Sequence, residues 1–312
     1  MNFYKYGLIT LGLLTGTKTW AYAPDLSNPN FLPVESDYAL FMTSGSSKRD
    51  IEYNANGVRV DYQQYKSNLS ELKGLTTGPY GVTLGFNFLY DSDREYEVHY
   101  GPASSKSGTS PFMSHSRGFI DPDIIIAKTF EPANDKWNQQ LYLLFNPFDI
   151  REEPKKIYRG GNDFLLDYRF SHIYSRGELH GKLFSHYFGK KVFYQPGDVR
   201  TSTSDPYTEV GIQLGYIFHL SQQWYLRTSG LFGQTSDYTI NTPDVQREAD
   251  KGHQTAGNIE LTFRPNYFWQ FGVEFHSSSR VYNANNEEIS RNIEYESEEE
   301  GIKFNFRYRG GF

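Results

Sequence analysis

From residue 302 to the end, the chain reads Ile-Lys-Phe-Asn-Phe-Arg-Tyr-Arg-Gly-Gly-Phe. Ile302, Phe304, Phe306, Tyr308, Gly310 and Phe312 alternate with Lys303, Asn305, Arg307 and Arg309. A period of two puts these sets on opposite faces of a strand, one aromatic and one charged. The beat recurs. Ile259, Leu261 and Phe263 oppose Asn258, Glu260, Thr262 and Arg264 within 256–264. Tyr267, Trp269, Phe271, Val273 and Phe275 oppose Gln270, Gly272, Glu274 and His276 within 267–277. In 207–220, Val210, Ile212, Leu214, Tyr216, Phe218 and Leu220 oppose Glu209, Gly211, Gln213, Gly215 and His219. In 163–173, Phe164, Leu166, Tyr168 and Phe170 oppose Asp163, Asp167 and Arg169. Weaker versions occur at 58–67, 80–90, 94–101, 139–147, 177–188 and 224–233, and 118–130 is strand-like without assignable faces.

These are twelve candidate strands. Five connections are short (91–93, 131–138, 174–176, 221–223 and 265–266). Six are long and polar (68–79, 102–117, 148–161, 189–206, 234–255 and 278–300). An even number of strands with short turns at one end and long loops at the other predicts an all-β fold, a transmembrane antiparallel β-barrel of the bacterial outer membrane. Closure satisfies every backbone hydrogen bond in lipid and leaves no edge. With the C-terminus in the periplasm, the long loops are all extracellular and the short turns all periplasmic. Phe304, Phe306, Tyr308 and Phe312 look like a membrane-assembly signal, which makes the barrel assembly machinery an expected partner. A secreted soluble sandwich is the competing fold, and it would have to bury the same aromatic face.

Composition agrees once the fold is a barrel. The chain has 312 residues, of which 17% are aromatic, and no Cys. Disulfides, thiolate metal sites and cysteine nucleophiles are therefore excluded. A net charge of -6 without a concentrated basic stripe gives nucleic acid little to hold. No apolar run reaches the length of a membrane helix. Residues 1–23 have Lys5, a short apolar core from Gly7 to Leu14, and Ala21-Tyr22-Ala23, the pattern of an export signal. Three readings stay open for 24–57: a periplasmic arm, a plug in the lumen, or two further strands that raise the total to fourteen. Trp224, Tyr216, Phe218, Tyr267, Trp269, Tyr168 and Tyr308 are expected in a periplasmic aromatic girdle, with Tyr187, Phe275 and Tyr100 in the outer one.

Chemistry or selection belongs to the inward positions. Asp163, His186, Glu209, Glu260, Glu274, His276 and Lys303 are expected in the extracellular half of the lumen. Arg59, Arg264, Arg307, Arg309, Glu178 and His219 are expected in the periplasmic half, and Asp167, Arg169 and Arg227 complete the lumen set. Acids above arginines would polarise the passage of ions. The plainer expectation is crossed ion pairs filling a narrow barrel. Twelve strands lie between the packed lumen of eight and the aqueous channel of sixteen. Inward Gly81, Gly85, Gly211, Gly215 and Gly272 either widen the lumen or relieve strain where a strand coils.

Two enzymatic plans bear on these residues. A lipase needs Ser and His on the lipid-facing wall, but Ser185 falls outward while His180 and His186 fall inward. A hydrolase with an acid/His group at the barrel mouth is conceivable from Asp163, His186 and Glu209. Neither is preferred, and no catalytic residue, cofactor or metal is expected. The glutamates of 278–300 match no calcium-loop spacing and suit a solvated loop. Lys155-Lys156-Arg159 and Lys190-Lys191 are expected to meet lipopolysaccharide phosphates, and lipid is the surrounding partner.

GFIDPDIIIAKTF at 118–130, LYLLFNPFDI at 141–150 and GGNDFLLDYRFSHIY at 160–174 follow one another with EVGIQLGYIFHLSQQWYLRTSG at 209–230 and NIELTFRPNYFWQFGVEF at 258–275. In this order they resemble the meta-pathway transporter-like outer-membrane barrels of phenol degradation, over roughly 118–312. The resemblance implies uptake or efflux of small, often hydrophobic or aromatic compounds. The expected protein is a passive, porin-like channel or transporter, favoured as a monomer. The alternative is a non-transporting barrel whose loops mediate surface interaction.

Overall fold

The computed structural model describes residues 37–102, 107–108, 110–130, 137–147, 162–194, 201–241, 246–286 and 291–311. The expected export signal, Phe312, and Lys155-Lys156-Arg159 lie outside the described residues. Twelve antiparallel strands close into a barrel: β1 (Asp37–Ala55), β2 (Val58–Thr77), β3 (Val82–Tyr100), β4 (Phe112–Phe130), β5 (Trp137–Phe145), β6 (Phe164–Tyr174), β7 (Gly177–Phe188), β10 (Tyr207–His219), β11 (Trp224–Thr235), β14 (Gly252–Phe263), β15 (Trp269–Asn286) and β16 (Arg291–Gly311). Each pairs with its neighbours in chain order, and β16 returns to β1 from Asp37↔Gly311 to Ala55↔Ile293. The short strands β8 (Lys191–Tyr194), β9 (Thr201–Ser204), β12 (Tyr238–Asn241) and β13 (Gln246–Ala249) lie at the extracellular end. They pair in the order β8–β9–β12–β13, and β13 joins the upper part of β15.

The barrel starts earlier than residue 58. Residues 37–55 of the uncertain N-terminal stretch form β1, and the strand total remains twelve because two differences offset. β1 is added, while 80–90 and 94–101 are a single strand, β3. The ladders on both sides of β3 shift register between Asp91 and Arg94 or close by. Such a bulge inverts the inside–outside phase of everything beyond it, which imitates a turn in the sequence. Three expected loops are also corrected. Residues 68–77 belong to β2, β4 begins at Phe112, and β15 and β16 take most of 278–300, so that acidic run is paired strand rather than loop.

One physical cause explains these extensions. Outward positions on β16 change from Phe306, Phe304 and Ile302 to Glu300, Glu298, Glu296 and Glu294. Outward positions on β1 change from Leu40 and Met42 to Lys48, Asp50 and Glu52. Above the hydrocarbon both faces meet water, so the ladder continues while the alternation disappears. β1 and β2 then turn through Asn56 and Gly57, with φ 51° and 75°. Two left-handed residues of this kind make the tight turn that matches strand twist.

Below that level the outward face is apolar and exposed to lipid, as at Leu84, Leu183, Leu214, Ile259 and Phe275. Trp269 packs on Tyr308 with ring centroids 4.3 Å apart, and Trp224 on Phe263 at 4.9 Å, in the periplasmic girdle. Tyr267 leaves the girdle for the lumen mouth, where the Arg309 guanidinium lies 4.9 Å from its ring. Tyr100 pairs with inward Asp61 and faces the lumen, not the outer girdle.

Segment 118–130 had no assignable faces because both its environments are apolar. Ile124 and Ile126 meet lipid, while Ile125 and Ala127 face inward and join Ala39, Phe41, Leu75 and Tyr142 in a buried apolar cluster. Asp121-Pro122 sits in a register shift on the β3–β4 ladder.

Candidate functional site: the barrel lumen

Register places the expected lumen residues on the inner face with one exception. Arg59 is at the extracellular end of β2, on the outer face, 2.8 Å from Glu52 and 5.7 Å from the Tyr62 ring. The reason is twofold. β2 descends from the extracellular side, and the ladder shifts register between Tyr53 and Asn54.

Near the periplasmic end, charge is paired rather than separated along the axis. Glu260 accepts hydrogen bonds from Arg307 and from the Asn305 amide, each at 2.7 Å, and lies 2.9 Å from Arg227. Arg227 also reaches Glu274 at 2.6 Å, and Lys303 stands 3.9 Å from the same carboxylate. Glu260 and Glu274 therefore share a level with Arg227 and Arg307, and the expected layer of acids above arginines is not formed. Arg309 binds Asp37 on β1. Arg264 is buried, donates its backbone N–H to the Gln223 carbonyl at 2.8 Å, and lies 5.7 Å from the Tyr267 ring.

A second cluster occupies β5–β7. Arg169 donates to Asp167 at 2.8 Å and lies over the Tyr142 ring at 3.5 Å, with Lys182 3.6 Å from Asp167. Opposed charge and a ring face together compensate the guanidinium for lost water. On this level Gln140, Asp167, Ile217, Glu260 and Gln270 are all 0% exposed. Side chains thus form a packed floor, with ion-pair clusters on β6–β16 and an apolar cluster from β1, β2, β4 and β5 that buried Gln140, Asn87 and Asp123 border.

Gly81 belongs to the turn between β2 and β3, with φ 66°, and the other expected inward glycines are filled by their neighbours. A Cβ on Gly272 would overlap the Glu260 carboxylate, and one on Gly215 would lie 2.6 Å from the His180 ring. Those two glycines make room for the packed floor instead of widening the lumen.

Higher up, Thr43, Gly45, Ser47, Gln213, Asn258 and Ser278 are half-buried and line a chamber. Glu209 accepts from Arg280 at 2.6 Å, and His276 stands 3.9 Å from Glu299. His186 is opposite Glu209 in the ladder, its ring 3.8 Å from Phe188. Asp163 is buried at the rim of β6. It accepts the Gly189 N–H at 3.3 Å through its carboxylate and the Asn146 N–H at 2.9 Å through its carbonyl, tying loop bases together. Tyr207 stacks with Phe188 and Tyr238 at 4.6 and 4.5 Å, while Tyr53 meets Tyr295 at 5.3 Å and Tyr65 meets Tyr96 at 4.5 Å. Ser185 faces lipid, and His180 and His186 face the lumen. Among the described residues, no group of three or more His, Asp or Glu is arranged to hold a metal.

The sequence missed Asp37, Phe41 and Leu75 because β1 and the lower half of β2 went unassigned. It also passed over Lys182, although the beat of 177–188 puts it inward.

A closed barrel with an apolar outer belt, polar ends and a self-satisfied backbone has one solvent that fits it. The chain is an outer-membrane β-barrel. Its fold is similar to an outer-membrane channel from Pseudomonas putida F1, with TM-score 0.58 and 12% identity over 92% of this chain and all of that one. Lesser likenesses include the transport unit of the autotransporter AIDA-I from Escherichia coli (TM-score 0.47, 12% identity, 94% and 97% covered) and a FadL homologue from Pseudomonas aeruginosa (0.43, 8%, 89% and 91%). No family model and no curated protein matches the chain.

Proposed function

We propose that this barrel is a passive channel for small molecules, with hydrophobic and aromatic compounds as its substrate class. The observation that carries the reading is the apolar cluster that β1, β2, β4 and β5 place on the inner face. An inward face that met only water would be polar, as it is on β14–β16. Here Phe41, Leu75, Ile125 and Tyr142 point inward and are buried at the floor. The chamber above offers tyrosine rings, and parting of the packed apolar cluster below would open a route beside the ion-pair network that water and ions would not favour. The fold shared with the Pseudomonas putida channel supports the class of activity, and the resemblance to the phenol-degradation transporter-like barrels supports the substrate class. Asp167, Arg169, Arg227, Glu260, Glu274 and Arg307 would then set selectivity by holding the polar side of the floor rigid.

The packed floor also favours a second reading, in which the barrel transports nothing and presents its extracellular hairpins to a partner. Planar-bilayer conductance of refolded protein separates the two. Small steady steps are expected, with selectivity altered in Glu274→Gln or Arg307→Gln. A small neutral aromatic solute should block them in wild type and lose its effect in Ile125→Asp. Silence from demonstrably folded protein would sink the channel and support the surface role. Steps indifferent to the solute would remove the substrate class.

A further inference from the structure

Above the hydrocarbon the lumen side of β16 and β1–β3 lines an aqueous vestibule, yet much of it is apolar. Tyr295, Tyr53, Tyr65 and Tyr96 face inward there, and Ile51 and Val98 beside them are buried. Tyr65 and Tyr96 are direct cross-strand partners with ring centroids 4.5 Å apart. Tyr53 and Tyr295 are partners higher up, at 5.3 Å. All four are half-buried, so part of each ring is within reach from the lumen. Rings of this kind offer a large, rigid contact face to a flat ligand at little entropic cost.

Arg94 stands at the foot of these rings. It is the first residue of β3 to regain pairing after the bulge, facing inward between Ser67 and Ser116, and its guanidinium lies 5.3 Å from the Tyr65 ring. Arg94 is half-buried, and among the described residues it forms no ion pair. By contrast Arg49, Lys73, Lys303, Arg307 and Arg309, inward on the same four strands, each have a carboxylate. The acids nearest to Arg94 along β3 are otherwise placed. Asp91 is 3% exposed and accepts from the Ser67 hydroxyl at 2.7 Å. Asp93 is exposed in the bulge, and Glu95 faces outward to Lys66 at 3.2 Å. The Arg94 fork therefore keeps its donors for a group that enters the lumen.

We propose that this vestibule wall binds an aromatic monocarboxylate, its carboxylate on Arg94 and its ring against Tyr65 and Tyr96. A planar guanidinium takes a carboxylate through two parallel hydrogen bonds. One such cation balances one negative charge, which selects a monoanion, and the ring faces select a flat apolar body. The site deepens the channel reading by giving its aromatic substrate a charge. It rests on that reading for its use, whereas its occupancy needs no open floor.

The test is equilibrium dialysis of the full refolded chain in lipid nanodiscs, blanked against empty nanodiscs, with benzoate, benzyl alcohol and hexanoate as probes. Wild type is expected to hold benzoate about tenfold or more tighter than benzyl alcohol, the margin that hydrogen bonds to a charged group supply. Arg94→Gln should erase that margin, and Arg94→Lys should keep only part of it, because an ammonium cannot form the paired bonds. Tyr65→Leu or Tyr96→Leu should weaken benzoate and benzyl alcohol alike, by about two- to tenfold. Circular dichroism with heat-modifiable gel migration confirms that each variant is folded. Benzyl alcohol held as firmly as benzoate, or an unchanged margin in Arg94→Gln, would overturn the carboxylate site. Hexanoate held as firmly as benzoate, or no response to either leucine, would overturn the aromatic occupant. Conductance on the same samples keeps the two readings apart. Silence with the benzoate margin intact would remove the channel and uphold the site, while steady steps without benzoate binding would remove the site alone.

Discussion

Strands β15, β16 and β1–β4 run 18 to 21 residues, whereas β5–β7, β10, β11 and β14 run 9 to 13, although both sets cross the same membrane. The short strands stop close to the lipid boundary, and β8, β9, β12 and β13 stand above them, attached to the tall wall at β15. The tall strands continue into water without a break in pairing. Along the short wall, most outward positions are apolar, with Gln139, Ser185, Gln234 and His253 among the exceptions. Along the tall wall, only the lower part is. Alternation therefore reports contact with hydrocarbon on one face, and its loss marks a change of solvent, not the end of a strand.

The largest effect should come from the charge network that joins the two walls. Glu260→Ala on short β14 removes the carboxylate shared by Arg227 and by Arg307 of tall β16, and about 3–5 kcal/mol of stability should be lost. Equilibrium urea unfolding in lipid vesicles measures it. A loss below 1 kcal/mol would mean that the floor is held by its apolar half.

Height along the tall wall is tested within one strand. Phe304→Arg places a cation in the hydrocarbon belt and should cost ~2–4 kcal/mol, against ~0–1 for Glu296→Arg above it. Equal costs in the same unfolding assay would show that the boundary between lipid and water is misplaced.

Gly272→Ala comes next, at about 1–3 kcal/mol, because its methyl group displaces the Glu260 carboxylate from its seat. A neutral result would show that Glu260 relaxes freely. The smallest effect belongs to Arg49→Ala. Arg49 pairs with Glu299 across β1 and β16, but its side chain is 49% exposed. Solvent screening holds the loss below about 1 kcal/mol, and the melting midpoint should shift least in this variant.

Much of the barrel can be read from residues whose two faces meet different solvents. In 207–220 and 302–312 lipid demands one side chain type and the lumen another, so face assignment followed from a period of two. Glu260, Glu274, Arg307 and Asp167 were legible as inward positions for the same reason. Their partners were not. Arg227 and Glu260 are neighbours in register, but Asn305 and Arg307 reach Glu260 from β16, with β15 between, and no spacing along the chain encodes that approach. β1 escaped notice because most of its outward face is in water. β4 escaped face assignment because its lumen side is as apolar as its lipid side. β3 was split because a bulge inverted its phase.

The sequence by itself determined that the chain crosses a bilayer in antiparallel strands and, from β5 to β16, which end of each crossing is periplasmic and which side chains point inward. Those follow from local alternation and from the order of turns, each a property of neighbouring residues. Only the tertiary structure decided that Asp37 joins Arg309, that the acidic run of β16 lies beside β1, and that the lumen floor is half apolar. Closure brings the first strand against the last, and a floor is built by strands far apart in the chain. Its composition is a property of the ring, which no single strand records.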